Sequence, residues 1–402
     1  MMVFLEFVLW VSCFIIFYNY AGYAIIAYAI NLFTKKKPTA GRKPFYPTVS
    51  FIVAAYNEED CIEKKIINSL EQEYPSDRIE YIFITDGSSD STPDIIEKYP
   101  QVQLLHSDLR QGKSAALNRA VKAANNDILL FSDANTFLNP EATEMVARHY
   151  IDEKVGGVAG EKKVMTPEDD TENVGASEGL YWKYESFLKK LDSDFYSVVG
   201  AAGELFSVRK ELYEVVPSEV VLDDFIISMK VAERGFRIIY EPKAYAMELP
   251  SFSLKDEKKR KVRIAAGGFQ AMAMLPGALS IWKHPRLSFL YISHRVLRWT
   301  LSPLCLIFAF ISGFLLSISN PAPIFKVIFL LQVAFYIGAL IAYLSPAATK
   351  YLKILKLPYY FIFMNISVFQ GFFRFLRKKQ PPTWEKVKRS NSDLLKSPVI
   401  DP

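Results

Sequence analysis

Residues Val3–Phe33 form an almost unbroken apolar run. It is longer than the roughly 20 residues that carry a helix across a bilayer. Inside lipid the backbone amides of such a run must bond within their own segment, so it can only be helix. Two further runs, Leu301–Ser319 and Ile324–Leu344, are separated by Asn320-Pro321-Ala322-Pro323. That break suits a tight turn on the far side of a membrane. Half of the 402 residues are hydrophobic, and the mean hydropathy is positive. The excess falls in residues 3–33 and after about residue 286, and the stretch between has ordinary globular composition. It is long enough to bury a substantial core.

The net charge of +5 is too small to indicate nucleic-acid binding. Its placement says more. Lys35-Lys36-Lys37 with Arg42-Lys43, Lys258-Lys259-Arg260-Lys261, and Arg374 with Arg377-Lys378-Lys379 each adjoin an apolar segment, where cytoplasmic Lys and Arg gather. Ala27-Tyr28-Ala29 faintly resembles a signal-peptidase site, but no basic residue precedes the first run and three lysines follow it. This is the reverse of a cleaved signal. The reading is an uncleaved anchor over 1–34 with the N-terminus outside, in a multi-pass protein of the plasma membrane whose main domain is cytoplasmic. Leu357–Phe373 holds Pro358, Asn365 and Gln370 and ends in basic residues, so an interfacial or re-entrant helix is expected there. The aromatic and basic segment 261–300 suits helices lying in the interface, with an ordinary linker as the alternative. A C-terminal membrane region over 301–376 and a cytoplasmic basic tail over 377–402 complete the division. Cys13, Cys61 and Cys305 have neither disulfide nor metal spacing, which suits a reducing compartment.

The middle of the chain, 45–260, alternates strand and helix patterns. Thr48–Ala54, Ile79–Thr85, Val102–Leu105 and Ile128–Phe131 are short apolar runs, and residues 59–72 and 114–124 are helical in pattern. The order predicts an α/β domain with a mostly parallel sheet. Ligands of such sheets bind beyond the carboxyl ends of the strands. Three polar loops obey that rule: Tyr56-Asn57-Glu58, Asp86 with Gly87-Ser88-Ser89-Asp90, and Asp133-Ala134-Asn135. Any one could be a helix cap; three on one edge suggest a site. No GxGxxG or GxxxxGK[ST] follows the first strand. A phosphate ligand would therefore need a cation, held by Asp133 and assisted by Lys113.

Ala54-Ala55-Tyr56-Asn57-Glu58, Thr85-Asp86-Gly87-Ser88-Ser89-Asp90, Gly112-Lys113 with Leu117-Asn118, and Ser132-Asp133-Ala134-Asn135 resemble the donor half of the family 2 glycosyltransferases. Gly200–Arg209, Leu222-Asp223-Asp224 and Arg260-Lys261-Val262-Arg263-Ile264 resemble the acceptor half. The flanking membrane segments are similar to those of the cellulose, chitin, hyaluronan and poly-N-acetylglucosamine synthase branch. The resemblance implies a GT-A-like nucleotide-sugar-binding domain flanked by transmembrane and interfacial helices. It implies that Asp86 contacts uracil, Tyr56 and Glu58 line the nucleotide pocket, and Asp133 acts on the diphosphate through Mg²⁺ or Mn²⁺. Asp224 would be the general base, and Arg260 and Arg263 would lie near the diphosphate with Lys113.

This chain departs from the family pattern at three positions. Asn135 replaces the second Asp of Asp-x-Asp, leaving one charge fewer although an amide oxygen can still ligate the ion. Asp223 replaces a Glu and is expected to cap or space the helix start. Ile264 replaces a Trp, which puts processivity in doubt. Glu204 and Trp182, with Tyr181 and Glu185, are acceptor-site candidates; Trp182 reads equally well as a core residue. The expected reaction is inverting transfer from UDP-N-acetylglucosamine or UDP-glucose to a growing polysaccharide. The alternatives are single addition to a lipid-linked acceptor, or a non-catalytic nucleotide-binding scaffold. The bilayer is an expected partner and nucleic acid is not; an export partner is unassigned.

Overall fold

The computed structural model describes residues 1–33, 45–164, 174–248, 254–345, 349 and 352–377. The clusters Lys35–Lys37, Arg42-Lys43 and Lys378-Lys379, and the tail beyond Arg377, lie outside these. Eight strands build one sheet: β1 Val49–Ala55, β2 Ile79–Thr85, β3 Val102–Leu105, β4 Ile128–Asp133, β5 Thr136–Leu138, β6 Val155–Val164, β7 Phe206–Arg209 and β8 Arg237–Glu248. Their order is β3-β2-β1-β4-β7-β6-β8-β5. The expected parallel arrangement holds across β3-β2-β1-β4. β7 runs antiparallel to β4 and β6, and β5 antiparallel to β8, so the whole sheet is mixed.

β1 is apolar along its whole length because both its faces are covered. Ile52 and Ala54 join a core with Leu117 and Phe225, while Phe51 and Val53 join another with Ile62 and Ile66. The helices over these faces are α3 Ile62–Leu70, α4 Thr92–Glu97, α5 Lys113–Ala123, α6 Ala142–Ala147, α7 Val174–Phe195 and α8 Asp223–Glu233. The strand ends therefore deliver Tyr56, Asp86 and Asp133 to one edge, as the loops predicted.

Apolar helices flank this domain. α1 Met2–Phe17 and α2 Tyr23–Phe33 form one rod joined by a π turn, and α9 Leu254–Met274, α10 Pro285–Tyr291 and α11 Leu297–Trp299 follow the sheet. α12 Leu301–Ser319, α13 Pro323–Leu344 and α14 Lys356–Leu376 close the chain. Among the described residues three helices are long and apolar enough to cross a membrane: Met2–Phe33, Leu301–Ser319 and Pro323–Leu344. α14 instead packs along α9. A Cβ on Gly371 would lie 2.6 Å from that of Ala265, so a small residue is required at this crossing. The boundary expected at 260/261 falls inside α9, which runs unbroken from 254 to 274.

A buried polar network ties the first helical rod to the domain. Asp192 on α7 accepts hydrogen bonds from the Tyr23 hydroxyl on α2 and lies 2.6 Å from Nδ1 of His294. Glu185, two turns earlier on the same face of α7, is held by Arg295 at 2.8 Å, by Arg298, and by His294 Nε2 at 3.4 Å.

Candidate functional site

At the end of β1 the chain turns through Asn57, which takes φ of 53°, a left-handed conformation that Asn tolerates. The Asn57 amide donates to Ser88 Oγ (3.1 Å), and the Glu58 amide donates to Thr92 Oγ1 (2.8 Å). These bonds join the first two polar loops. The Tyr56 ring lies flat beneath the Arg110 guanidinium, 3.7 Å from ring centre to cation. Cys61 donates its thiol hydrogen to the Glu58 carboxylate at 3.4 Å.

Asp86 is completely buried. Its Oδ2 accepts the amide hydrogens of Gln111 (2.9 Å) and Gly112 (2.6 Å), and its Oδ1 pairs with Arg119 at 3.0 Å. The carboxylate thus fixes the turn that places Arg110 over Tyr56 and starts α5 at Lys113. Gly112 has φ of 98°, a backbone conformation that glycine adopts without strain.

Lys113 reaches Asp133 at the end of β4, with Nζ 2.6 Å from Oδ1, and lies 3.9 Å from Asp223 Oδ2. Burial opposes its charge, but Asp133, Asp223 and Asp224 outweigh burial and hold the ammonium above its ordinary pKa. Burial pushes the Asp133 carboxyl up, against the pull of Lys113. Asn135 occupies the turn between β4 and β5, half-buried.

Asp223 and Asp224 open α8. Asp223 is not a cap: neither it nor Leu222 makes a side-chain capping bond. Helix side chains lean toward the N-terminus, so both carboxylates face Lys113. Asp224 Oδ1 accepts the Phe225 amide hydrogen at 2.7 Å. Its Oδ2 borders Gly203: a Cβ there would lie 3.3 Å from that oxygen, 3.1 Å from Lys113 Nζ and 3.6 Å from Asp133 Oδ1. Burial first, and the Asp223 charge second, push the Asp224 carboxyl up to about 7. Gly203 is thus the point where Asp224, Lys113 and Asp133 converge. Its membership of Gly203-Glu204-Leu205 was visible, but its position between three charges was not.

A cavity of about 1500 Å³ opens beside Asp224. Trp182, Glu204, Arg260, Ile264 and Lys189 line it, and it extends to Leu357 and Phe361 of α14. Trp182 and Glu204 therefore share the wall with Asp224. Glu204 is paired with Lys162, which also holds Glu248. Glu185 lines the cavity as well, but its carboxylate is taken by two arginines and a histidine. Arg260 binds Glu257 on its own helix at 3.0 Å. Burial lowers the Arg263 pKa against the pull of Asp223, Asp224 and Asp133, which places this guanidinium within the field of all three carboxylates.

Among the described residues no group of three or more His, Cys, Asp or Glu is arranged to hold a metal ion alone. The donor set still fits a hard cation. Mg²⁺-type ions are commonly bound by one or two carboxylates together with substrate phosphates, and Asp133 with the Asn135 amide oxygen would supply the protein share.

The mixed α/β sheet with its acidic loops on one edge is like that of GT-A glycosyltransferases. Residues 50–216 match the family model Glycosyl transferase family 2. Poly-beta-1,6-N-acetyl-D-glucosamine synthase of Staphylococcus aureus strain MSSA476 is 30% identical over 234 residues, covering 56% of this chain and 55% of that protein. The synthase of the same name from Staphylococcus epidermidis is 26% identical over 231 residues, covering 56% and 55%. The chain thus spans about half the length of these relatives. In fold it is similar to the mannosyltransferase PcManGT from Pyrobaculum calidifontis, solved in complex with GDP-Man and Mn²⁺. That similarity has a TM-score of 0.72 at 22% identity, over 93% of this chain and 99% of the other.

Proposed function

We propose that the chain is an inverting, metal-dependent glycosyltransferase that moves a sugar from a nucleotide donor to a growing polysaccharide at the membrane. The observation that carries this reading is the convergence of Asp224 Oδ2, Lys113 Nζ and Asp133 Oδ1 around Gly203, beside the cavity that Asp224 lines. An acceptor hydroxyl attacks the anomeric carbon as the bond to the diphosphate breaks, and Asp224 takes the hydroxyl proton. A carboxyl pushed up to about 7 is suited to that transfer. One base and one displacement invert the centre, so an α-linked donor yields a β-linked product.

A divalent ion held by Asp133 and Asn135 would neutralise charge on the departing diphosphate. Lys113 and Arg263 add fixed positive charge beside it. Tyr56 and Arg110 offer a stacked platform for the nucleoside, Asp86 holds the turn that carries Arg110, and Glu58 borders the same loops. Trp182 and Glu204 are placed to meet the acceptor. UDP-N-acetylglucosamine is the first donor to test, from the Staphylococcus relatives; UDP-glucose and GDP-mannose follow. Orientation with the catalytic domain in the cytoplasm of a multi-pass protein belongs to the same proposal.

A second reading, single addition to a lipid-linked acceptor, is favoured by the extension of the cavity to the exposed Leu357 and Ile354. The test supplies radiolabelled donors with Mg²⁺ or Mn²⁺ to the chain in lipid nanodiscs and sizes the product. A ladder supports a polymerase, and one lipid-extractable addition supports the second reading. Turnover that survives in Asp224→Asn would sink the assignment of the base. Donor binding with no transfer under any condition would favour a scaffold.

A further inference from the structure

Lys189 on α7 is 3% exposed and lines the cavity. Among the described residues its ammonium has no hydrogen bond and no ion pair; its contacts are with the faces of Trp182 and Tyr240, each 5.9 Å away. Glu161 and Glu204 act on it from beyond ion-pair distance, and an ammonium this buried with no anion in contact is costly.

The carboxylates around it are already engaged. Glu161 accepts from Ser186 at 2.6 Å and from Tyr240. Glu204 and Glu248 share Lys162, and Glu185 is held by Arg295, Arg298 and His294. Lys162 and Lys261 also face the Trp182 ring, at 5.1 and 5.6 Å. Cationic side chains outnumber carboxylates along the cavity lining.

We propose that the acceptor carries an oxyanion, phosphate or carboxylate, that enters the cavity beside Trp182 and pairs with Lys189. The proposal deepens the transferase reading by giving the acceptor a charge. Trp182 offers a flat face for the sugar or chain next to that group, and the lysine supplies a charge-assisted hydrogen bond. The cavity continues past Phe361 to Ile354 and Leu357, which are 72% and 57% exposed. The space therefore also accepts an apolar tail behind the charged group.

The experiment measures binding to the full chain in nanodiscs without nucleotide, using two matched pairs of probes. Citronellyl phosphate is compared with citronellol, and trigalacturonate with its neutral trimethyl ester. The expected result is about tenfold tighter binding of the anionic member of one pair. Lys189→Met should erase that preference and Lys189→Arg should keep it, with thermal unfolding checking that both variants fold. Preference within the first pair identifies a lipid phosphate; preference within the second, an acidic glycan. Equal binding within both pairs, or a preference that survives Lys189→Met, overturns the proposal. Because no transfer is read, a failed transfer assay with intact anion preference would sink the catalytic reading and leave an anion site at Lys189 standing.

Discussion

Lys113 Nζ lies 2.6 Å from Asp133 Oδ1, so the carboxylate proposed to draw in a divalent ion is already paired with a cation. The two charges compete for one site until the donor phosphates arrive. Lys113→Met should therefore bind Mn²⁺ more tightly in the absence of donor, by about three- to tenfold, as read by electron paramagnetic resonance titration. The same variant should raise the donor KM, because fixed positive charge beside the diphosphate is gone. Weaker Mn²⁺ binding in Lys113→Met would remove Asp133 as the ion's ligand.

Asp224 is held at about 7 by burial and by Asp223. Below that pH the base is protonated and idle, so kcat/KM of the free enzyme should rise through about pH 7 and level off above it. Asp223→Asn removes a charge that raises the Asp224 pKa, so its acid limb should move to lower pH. An unmoved limb would mean that another group titrates. Asp224→Asn should lower kcat by about 10²- to 10⁴-fold with nucleotide binding retained.

A Cβ on Gly203 would come within 3.1 Å of Lys113 Nζ and 3.3 Å of Asp224 Oδ2, so a branched side chain there has no room without displacing both. Gly203→Val should push both side chains away from their positions and cut turnover at least about 100-fold. Since the flanking strand pairing is untouched, the thermal midpoint should change little. Full activity in this variant would show that the reacting atoms sit elsewhere.

Arg110 stacks on Tyr56 at 3.7 Å. Arg110→Ala should weaken binding of a free nucleoside diphosphate by about two- to thirtyfold, the range of a cation–π contact. Calorimetry with UDP and GDP would read it, and an unchanged affinity would move the nucleoside off this platform.

Asp192 is buried between Tyr23 and His294. Asp192→Ala leaves both without their acceptor and should destabilise the chain by about 3–5 kcal/mol, while Asp192→Asn keeps an acceptor and should cost less. Thermal unfolding in nanodiscs distinguishes the two. Equal midpoints for wild type and Asp192→Ala would show that the first helical rod does not depend on this junction.

Ile79–Thr85 and Val102–Leu105 were legible from sequence to the residue, because each is a short run of mainly β-branched and apolar residues, broken by Glu80 and Gln103, between turn-forming residues. β6 and β8 were not. β6 begins Val155-Gly156-Gly157, and β8 contains Pro242 with charged neighbours, so neither has a strand's usual composition. The loops bearing Tyr56, Asp86 and Asp133 were readable because each follows a legible strand. The engagement of Asp86 by its own turn, and the approach of Asp223 to Lys113, depend on contacts between segments distant in sequence. No local pattern announces them. Lys189 was invisible for the same reason: a lysine in a helix reads as solvated until the walls around it are known.

β4 and β7 run in opposite directions, with Phe131 opposite Phe206. The last residues of one strand and those just before the other therefore meet on the same edge, and Ser132 Oγ donates to the Glu204 carbonyl at 3.0 Å across that junction. The separation between Asp133 and Gly203 is set by the spacing of two paired strands, independently of the chain connecting them. The part of the connecting segment that carries Trp182 and Lys189 should be exchangeable for that of a relative without resetting this separation, provided the cuts fall after Asn135 and before Gly203. A chimaera made within those limits would carry a new acceptor preference onto an unaltered nucleotide-handling half.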